Sequence, residues 1–468
     1  MGERLRGIDA AFLAIETPSA PMHIGALVLV DPSTSPGGWT FEAVAGLVAA
    51  RLHLAPLFRR RVVEVPYGLH HPLWCDDPDF DVTRHLHPMP VEPPGREEQL
   101  LDAVAARLAV PLDRTRPLWE LHVAEGLAGG RAAVLATSHH AANDGVSGTQ
   151  VLLTLLDFQP EPSVVDPEQP RWAPAPLPAD AELIGDAVAA LAARPTEAAA
   201  AVRGTVEVLS RLRRHLTGSD GAAAPPPFAA PRISLNGVLS GPERRVAVVG
   251  LPLQEVRAVR DRFGVTVNDV VLALCAGALR SWLAGRGEAA DGDLVALVPA
   301  SVRSAADAGT TGNRVSPMLV SLATTVADPV ERLQAVAASA RSAKARERDV
   351  GTAPLAEWAE LAPPILVAGA AQLASALRLA DLVPPTFNVS VSNVAGPPLP
   401  LYLAGARVVA AYPLAPVTDG STLNVTVLSY DGTLGFGLVA DAASVPDLGV
   451  LAAGLAQALA ELVRATQT

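Results

Sequence analysis

Between Gln159 and about Gly241 the chain interrupts its own pattern. "PEPSVVDPEQPRWAPAPLPAD" crowds prolines more densely than the interior of a helix or strand tolerates, because each proline removes a backbone donor and fixes φ. An Ala-rich stretch running to about Leu216 predicts a helix, and "TGSDGAAAPPPFAAP" predicts a flexible segment. A chain interrupted in this way cannot be one continuous alternation of elements. The expectation is an N-terminal domain over 1–160, a Pro/Ala-rich linker with an embedded helix over 161–241, and a C-terminal domain over 242–468. The 468 residues are enough for two cores.

Both halves mix strand-like and helix-like segments. In the first, "HIGALVLVD" reads as a buried strand, "TFEAVAGLVAARLH" as a helix capped by Thr40, and "EEQLLDAVAARLAV" as an amphipathic helix. "LWELHVAEGL" and "RAAVLATSHH" then form a strand pair joined by "AGG", followed by a helix "GVSGTQVLLTLLDF". In the second half, "TVNDVVLALCAGALRSWLAG" reads as a helix. After it come strands "LVALVPAS" and "VSPMLVSLAT", helices from Asp328 and Leu355, four strands from "TFNVSVSNV" to "LGFGLVAD", and a last helix near Pro446 to Arg464. The fold class is α+β, an α/β two-layer arrangement in each domain.

Composition removes several functional classes. A formal charge of −12 repels polyanions, so nucleic acid is excluded as a partner. Lys344 is the only lysine, a bias of coding rather than of chemistry. Cys75 and Cys275 match no metal or redox spacing, which predicts free thiols in a reducing compartment. At the N-terminus, "MGERLRGIDAAFLAIE" is broken by Asp9 and Glu16 and lacks a signal-peptide core, and Arg6 stands where a myristoylation signal has Ser or Thr. "APPILVAGAAQLASALRLAD", residues 362–381, holds Gln372 and Arg378 and opens on two prolines, so it predicts a buried or interfacial helix rather than a membrane span.

The chemistry concentrates in "SHHAANDGVSG", Ser138 to Gly148, where a strand ends and a helix begins. The plain reading is one packed histidine, one solvated one, and Asp144 capping the next helix. Adjacent strand residues point to opposite faces, so His139 and His140 cannot share a role. One faces a cleft, where an imidazole can take a proton near neutral pH, and the other faces the core. Asp144 can fix the turn or an imidazole tautomer, and Gly145 allows close backbone approach. A metal site fails on ligand count. A catalytic triad lacks a nucleophile in a G-x-S-x-G turn, a pattern that "GVSG" around Ser147 does not complete. What remains is a base acting directly on a substrate hydroxyl, amine or thiol.

"HHAANDG" resembles the HHxxxDG motif of CoA-dependent acyltransferases with the chloramphenicol acetyltransferase fold, a superfamily that includes nonribosomal-peptide condensation domains. The rest of the chain resembles the bacterial wax ester synthase/acyl-CoA:diacylglycerol acyltransferase family outside the linker. "IDAAFLAIETPSAPMHIGAL" is similar to that family's N-terminus, and "RPLWELHV" holds its Pro-Leu-Trp motif as Pro117, Leu118 and Trp119. "VTVNDVVLAL" carries its Asn-Asp pair as Asn268 and Asp269, and "VPASVR", "GNRVSPMLVSL" and "SYDGTLGFGLVAD" match further blocks. One departure is "SNVAGP", where the family usually has proline at Ala395.

The resemblance implies two chloramphenicol-acetyltransferase-like domains, each a mixed sheet flanked by helices, with an apolar tunnel and the active site at their interface. It implies His140 as general base on the hydroxyl of diacylglycerol or a long-chain alcohol, with His139 orienting and Asp144 supporting the motif loop. Pro117, Leu118 and Trp119 are expected as architecture or tunnel lining. Asn268 and Asp269 are expected as a helix N-cap or a contribution to the site. Acyl-CoA enters as a substrate at an arginine-containing mouth, and neither cofactor nor metal is implied. Attachment to a lipid droplet or the inner membrane surface is expected to be peripheral, from the cytoplasm, and a homodimer is left open. Two rivals are a carrier-dependent condensation-type acyltransferase and an inactive lipid-binding or droplet protein.

Overall fold

The computed structural model describes residues 2–142, 154–161, 173–190, 192, 224–301, 315–350, 360 and 363–467. Most of the linker, most of the helix expected from Gly145, and the start of the segment from Leu355 lie outside them.

Three sheets organise the described residues. A small one joins β1 (Glu3–Arg4), β4 (Leu73–Asp76) and β3 (Arg60–Val63). The first large sheet runs β12 (Tyr402–Leu403), β13 (Ala406–Leu414), β2 (His23–Asp31), β7 (Arg131–His139), β6 (Trp119–Leu127) and β5 (Leu86–Pro88). The second runs β10 (Val315–Ser321), β9 (Val295–Ser301), β11 (Val389–Ala395), β14 (Leu423–Tyr430), β15 (Thr433–Asp441) and β8 (Arg244–Pro252). Most neighbours are antiparallel, but β11 runs parallel to both β9 and β14, and β5 parallel to β6, so both large sheets are mixed.

Alternation decides what each face meets. On β2, Val28 and Val30 share an apolar cluster with Val44 and Val48 of α2 (Phe41–Arg51), and Leu27 shares another with Val104 and Leu108 of α3 (Glu97–Leu108). The first sheet is therefore covered on both faces. Helix α2 begins where expected, with the Thr40 hydroxyl accepting from the Ala43 N–H at 3.3 Å. In the second unit the helix Val267–Gly285 is the spine of the core, buried almost throughout and packed on Leu448–Ala465. Its 19 residues are long and apolar enough to cross a membrane, but their burial marks a core helix.

The first large sheet draws its strands from both halves of the sequence. Strand β13, near residue 410, pairs antiparallel with β2, near residue 29, so the first sheet is completed by the second half of the chain. β13 also crosses β15 closely: a Cβ on Gly435 would overlap the Ala411 carbonyl, and one on Gly437 the Pro413 carbonyl. The glycines of "LGFGLVAD" thus let the sheets touch.

The stretch at 362–381 forms a helix, Pro364–Ala376, followed by a short turn of helix, Leu379–Leu382, and neither holds a buried residue. Of the two expectations for it, burial is overturned. Its 13 residues pack against α1 (Gly7–Ile15) and leave Ile365, Leu366 and Leu373 exposed, with Leu377 exposed just past its end.

Candidate active site

The two histidines separate as strand geometry requires. His139 ends β7 opposite His23 on β2, and the His139 N–H donates to the Leu118 carbonyl at 3.0 Å. One residue on, the His140 N–H donates to the Met22 carbonyl at 2.8 Å, which fixes the backbone where the strand leaves the sheet. The His140 ring stacks on Phe12 of α1, centroids 4.0 Å apart and planes inclined 19°, and faces a cavity. His139 is wholly buried on the other side.

Around His139 lies a buried charged group that the sequence reading passed over. The Nδ1 of His139 accepts the Ala141 N–H at 3.0 Å, so in the neutral ring the proton sits on Nε2. That nitrogen faces the Glu16 carboxylate at 3.5 Å. Glu16 also accepts the Met22 N–H at 2.9 Å and binds Arg114 at 2.7 Å. Burial raises the Glu16 pKa, but the hydrogen bond and charge of His139, the Met22 N–H and the Arg114 guanidinium outweigh it and bring it to about 2. Glu16 is therefore a carboxylate at any working pH. The adjacent His23 behaves in the opposite way: burial, only partly offset by the charge of Glu16, lowers its pKa to about 4 and keeps it neutral. Glu16 holds Met22 through its N–H, and Met22 holds His140 through its carbonyl. The carboxylate and the candidate base are thus two hydrogen bonds apart.

The cavity measures about 690 Å³ and runs between the two large sheets. Ile24, Val28 and Trp119 contribute from the first sheet, Val394 and Leu428 from the second, and Phe12 from α1. Its wall is mostly apolar. Glu120 is the one carboxylate among the described lining residues, and His122 Nε2 holds it at 3.0 Å. No described lining residue is an arginine, so the expected arginine mouth finds no counterpart along this wall.

The remaining predicted residues divide. Trp119 lines the cavity, donates its indole N–H to the Phe58 carbonyl at 2.9 Å and stacks on His85 at 4.5 Å. Pro117 and Leu118 are buried but off the cavity, Leu118 in a cluster with Leu13, Trp74 and Ala141 that backs the motif turn. Asn268 and Asp269 do not line it either. Asp269 completes a capping box: its carboxylate takes the Thr266 N–H at 2.8 Å and hydroxyl at 2.7 Å, while its own N–H reaches the Thr266 hydroxyl. Asp144 and Gly145 lie outside the described residues. Arg114 and Phe12 were not read as site residues from the sequence, and Glu16 was read only as a break in the N-terminal apolar run. The signal that pointed to Glu16 was its interruption of an otherwise apolar run.

Comparison with known proteins identifies the family. The wax ester synthase/diacylglycerol acyltransferase catalytic domain matches residues 5–271, and the C-terminal domain of the same family matches residues 311–463. The putative diacylglycerol O-acyltransferase Rv1760 of Mycobacterium tuberculosis is 36% identical over 475 residues, covering 98% of this chain and 90% of that protein. Among solved structures, the wax ester synthase/diacylglycerol acyltransferase of Marinobacter aquaeolei VT8 superposes with a TM-score of 0.70 at 29% identity, covering 100% of both chains. The first condensation domain of the calcium-dependent antibiotic synthetase, at 16% identity and a TM-score of 0.56, covers 99% of this chain and 96% of its own, and shares the fold. The chain belongs to the wax ester synthase/diacylglycerol acyltransferase family and is an acyltransferase.

Proposed function

We propose that the protein moves a long-chain fatty acyl group from acyl-CoA onto the hydroxyl of diacylglycerol or of a long-chain alcohol, with His140 as the general base. The observation that carries this reading is the position of His140, held at the end of β7 on the wall of a mostly apolar cavity of about 690 Å³. That volume lies within the about 300–1,000 Å³ of ligand pockets in general.

In this mechanism the His140 imidazole takes the proton of the acceptor hydroxyl as its oxygen forms a bond to the thioester carbon. The tetrahedral adduct then collapses, the carbon–sulfur bond breaks, and the imidazolium returns its proton to the leaving CoA thiolate. Protons and electrons balance without a covalent acyl-enzyme, and acyl-CoA is consumed as a substrate. General-base catalysis contributes about 10²- to 10⁴-fold, and positioning in a water-poor cavity supplies a further part. His139, fixed by Glu16, positions the turn that carries His140.

Acceptors this apolar reside in lipid, which requires the enzyme to work at a lipid surface. The exposed leucines of Pro364–Ala376 support peripheral attachment, because that helix packs on α1, one wall of the cavity. The purified protein is tested with palmitoyl-CoA and dipalmitoylglycerol, hexadecanol or no acceptor, following thiol release and separating the lipid products. The expected result is triacylglycerol or wax ester only where an acceptor is present. Lipid binding without ester from either acceptor would overturn the reading and favour the carrier-dependent or binding-protein alternatives.

A further inference from the structure

The second sheet brings an unusual surface to the cavity. Strands β11 and β14 run parallel, with Ser390 beside Asn424 and Ser392 beside Thr426. Val389 and Val391 on β11, and Val425 and Val427 on β14, are buried in the core beneath. Alternation therefore turns the four polar side chains the other way, and all four line the same cavity as His140. They form a two-by-two block of hydroxyl and amide groups on an otherwise mostly apolar wall.

The hydrogen bonds within the block leave part of it open. The Thr426 hydroxyl donates to Asn424 Oδ1 at 2.8 Å, and Asn424 Nδ2 donates to the Pro416 carbonyl at 3.2 Å. Asn424 is thereby held, while the oxygen lone pairs of Thr426 stay available. The Ser390 and Ser392 hydroxyls make no hydrogen bond to any described residue. A wall that received only alkyl chains would pack better with valine at these positions, as the opposite face of the same strands does. Two serine donors facing an apolar cavity suit a ligand that brings acceptor oxygens to that depth.

We infer that the block of Ser390, Ser392, Asn424 and Thr426 is a subsite for the ester carbonyls of a glyceride acceptor, with Ser390 and Ser392 donating to them. The inference rests on the acyltransferase reading above and makes it more specific. A primary alcohol offers one hydroxyl, which His140 uses, and needs no second polar contact. A diacylglycerol carries two ester groups beside its hydroxyl, and these would otherwise be stripped of water without replacement partners.

The test is the double variant Ser390→Ala with Ser392→Ala, assayed for acyl transfer to 1,2-dioctanoylglycerol and to decanol. Binding of each acceptor is measured separately by titration calorimetry. The expected result is a fall of about tenfold in the ratio of kcat/KM for dioctanoylglycerol to that for decanol, carried by KM, with weaker dioctanoylglycerol binding. Ser392→Thr, which keeps a hydroxyl on a β-branched side chain suited to a strand, should restore part of the ratio in the Ser390→Ala background. An equal loss for both acceptors, or a ratio that does not move, would overturn the subsite. Serine-dependent binding of dioctanoylglycerol in a wild-type protein that forms no ester would retain the subsite and overturn the acyltransferase mechanism instead.

Discussion

Glu16 shows how much one side chain can organise. It is nearly buried and ionised, and it ties Arg114, His139 and the Met22 N–H into one group. Its folded pKa of about 2 lies below its ordinary 4.5, so the unfolded chain binds the proton first as pH falls. That stabilisation, on the order of 3 kcal/mol, is complete above about pH 4.5 and is lost as pH drops toward 2. His23 adds to the same trend at higher pH. Its folded pKa of about 4 lies below 6.5, so the unfolded chain binds the extra proton between those values, and stability falls as pH drops from about 6.5 to 4. Melting temperature measured from pH 8 downward should therefore begin to decline near pH 6.5. In His23→Gln the decline between pH 6.5 and 4 should flatten; an unchanged slope would remove His23 from the account. Glu16→Gln keeps the shape but leaves Arg114 and His139 poorly matched. It should lower stability by about 1–3 kcal/mol and reduce kcat more than it raises KM, measured by denaturant titration and steady-state kinetics.

Elements divide into those legible from local pattern and those decided elsewhere. The strand pair 119–127 and 131–139, the Thr40-capped helix and the Val267–Gly285 helix follow from alternation, capping and a turn of glycines, which are local properties. Strand β8, "RRVAVVGLP", went unread because it follows the proline-rich linker and carries charges at its start. Strand β13 was read as a strand, but alternation cannot name a partner almost 400 residues away, and that partner is β2. The close crossing of β13 and β15 explains Gly437. Gly437→Ala should cost about 1–3 kcal/mol through overlap with the Pro413 carbonyl, measured by denaturant unfolding, whereas an alanine tolerated there would mean the sheets can part. For the exposed helix, Leu366 and Leu373 fall at i and i+7, on one stripe. Leu366→Glu with Leu373→Glu should reduce co-sedimentation with diacylglycerol-containing phosphatidylcholine vesicles by more than about tenfold while leaving the fold stable. Undiminished vesicle binding would place the lipid contact on another surface.

Across the whole molecule, the site belongs to neither half alone. His140 comes from the first sheet, the polar block from the second, and strand β13 binds the second half of the chain to the first. The motif made the candidate base legible because its chemistry is carried by adjacent residues. The cavity was expected from the apolar character of the substrates, but its walls come from residues scattered between Ile8 and Tyr430 and no local pattern connects them. The most direct test of the account is ester formation from palmitoyl-CoA and an acceptor by His140→Ala, compared with wild type at equal folded concentration. The account predicts a loss of about 10²- to 10⁴-fold in kcat with the melting temperature near that of the wild type. A folded His140→Ala protein that forms ester at the wild-type rate would contradict it.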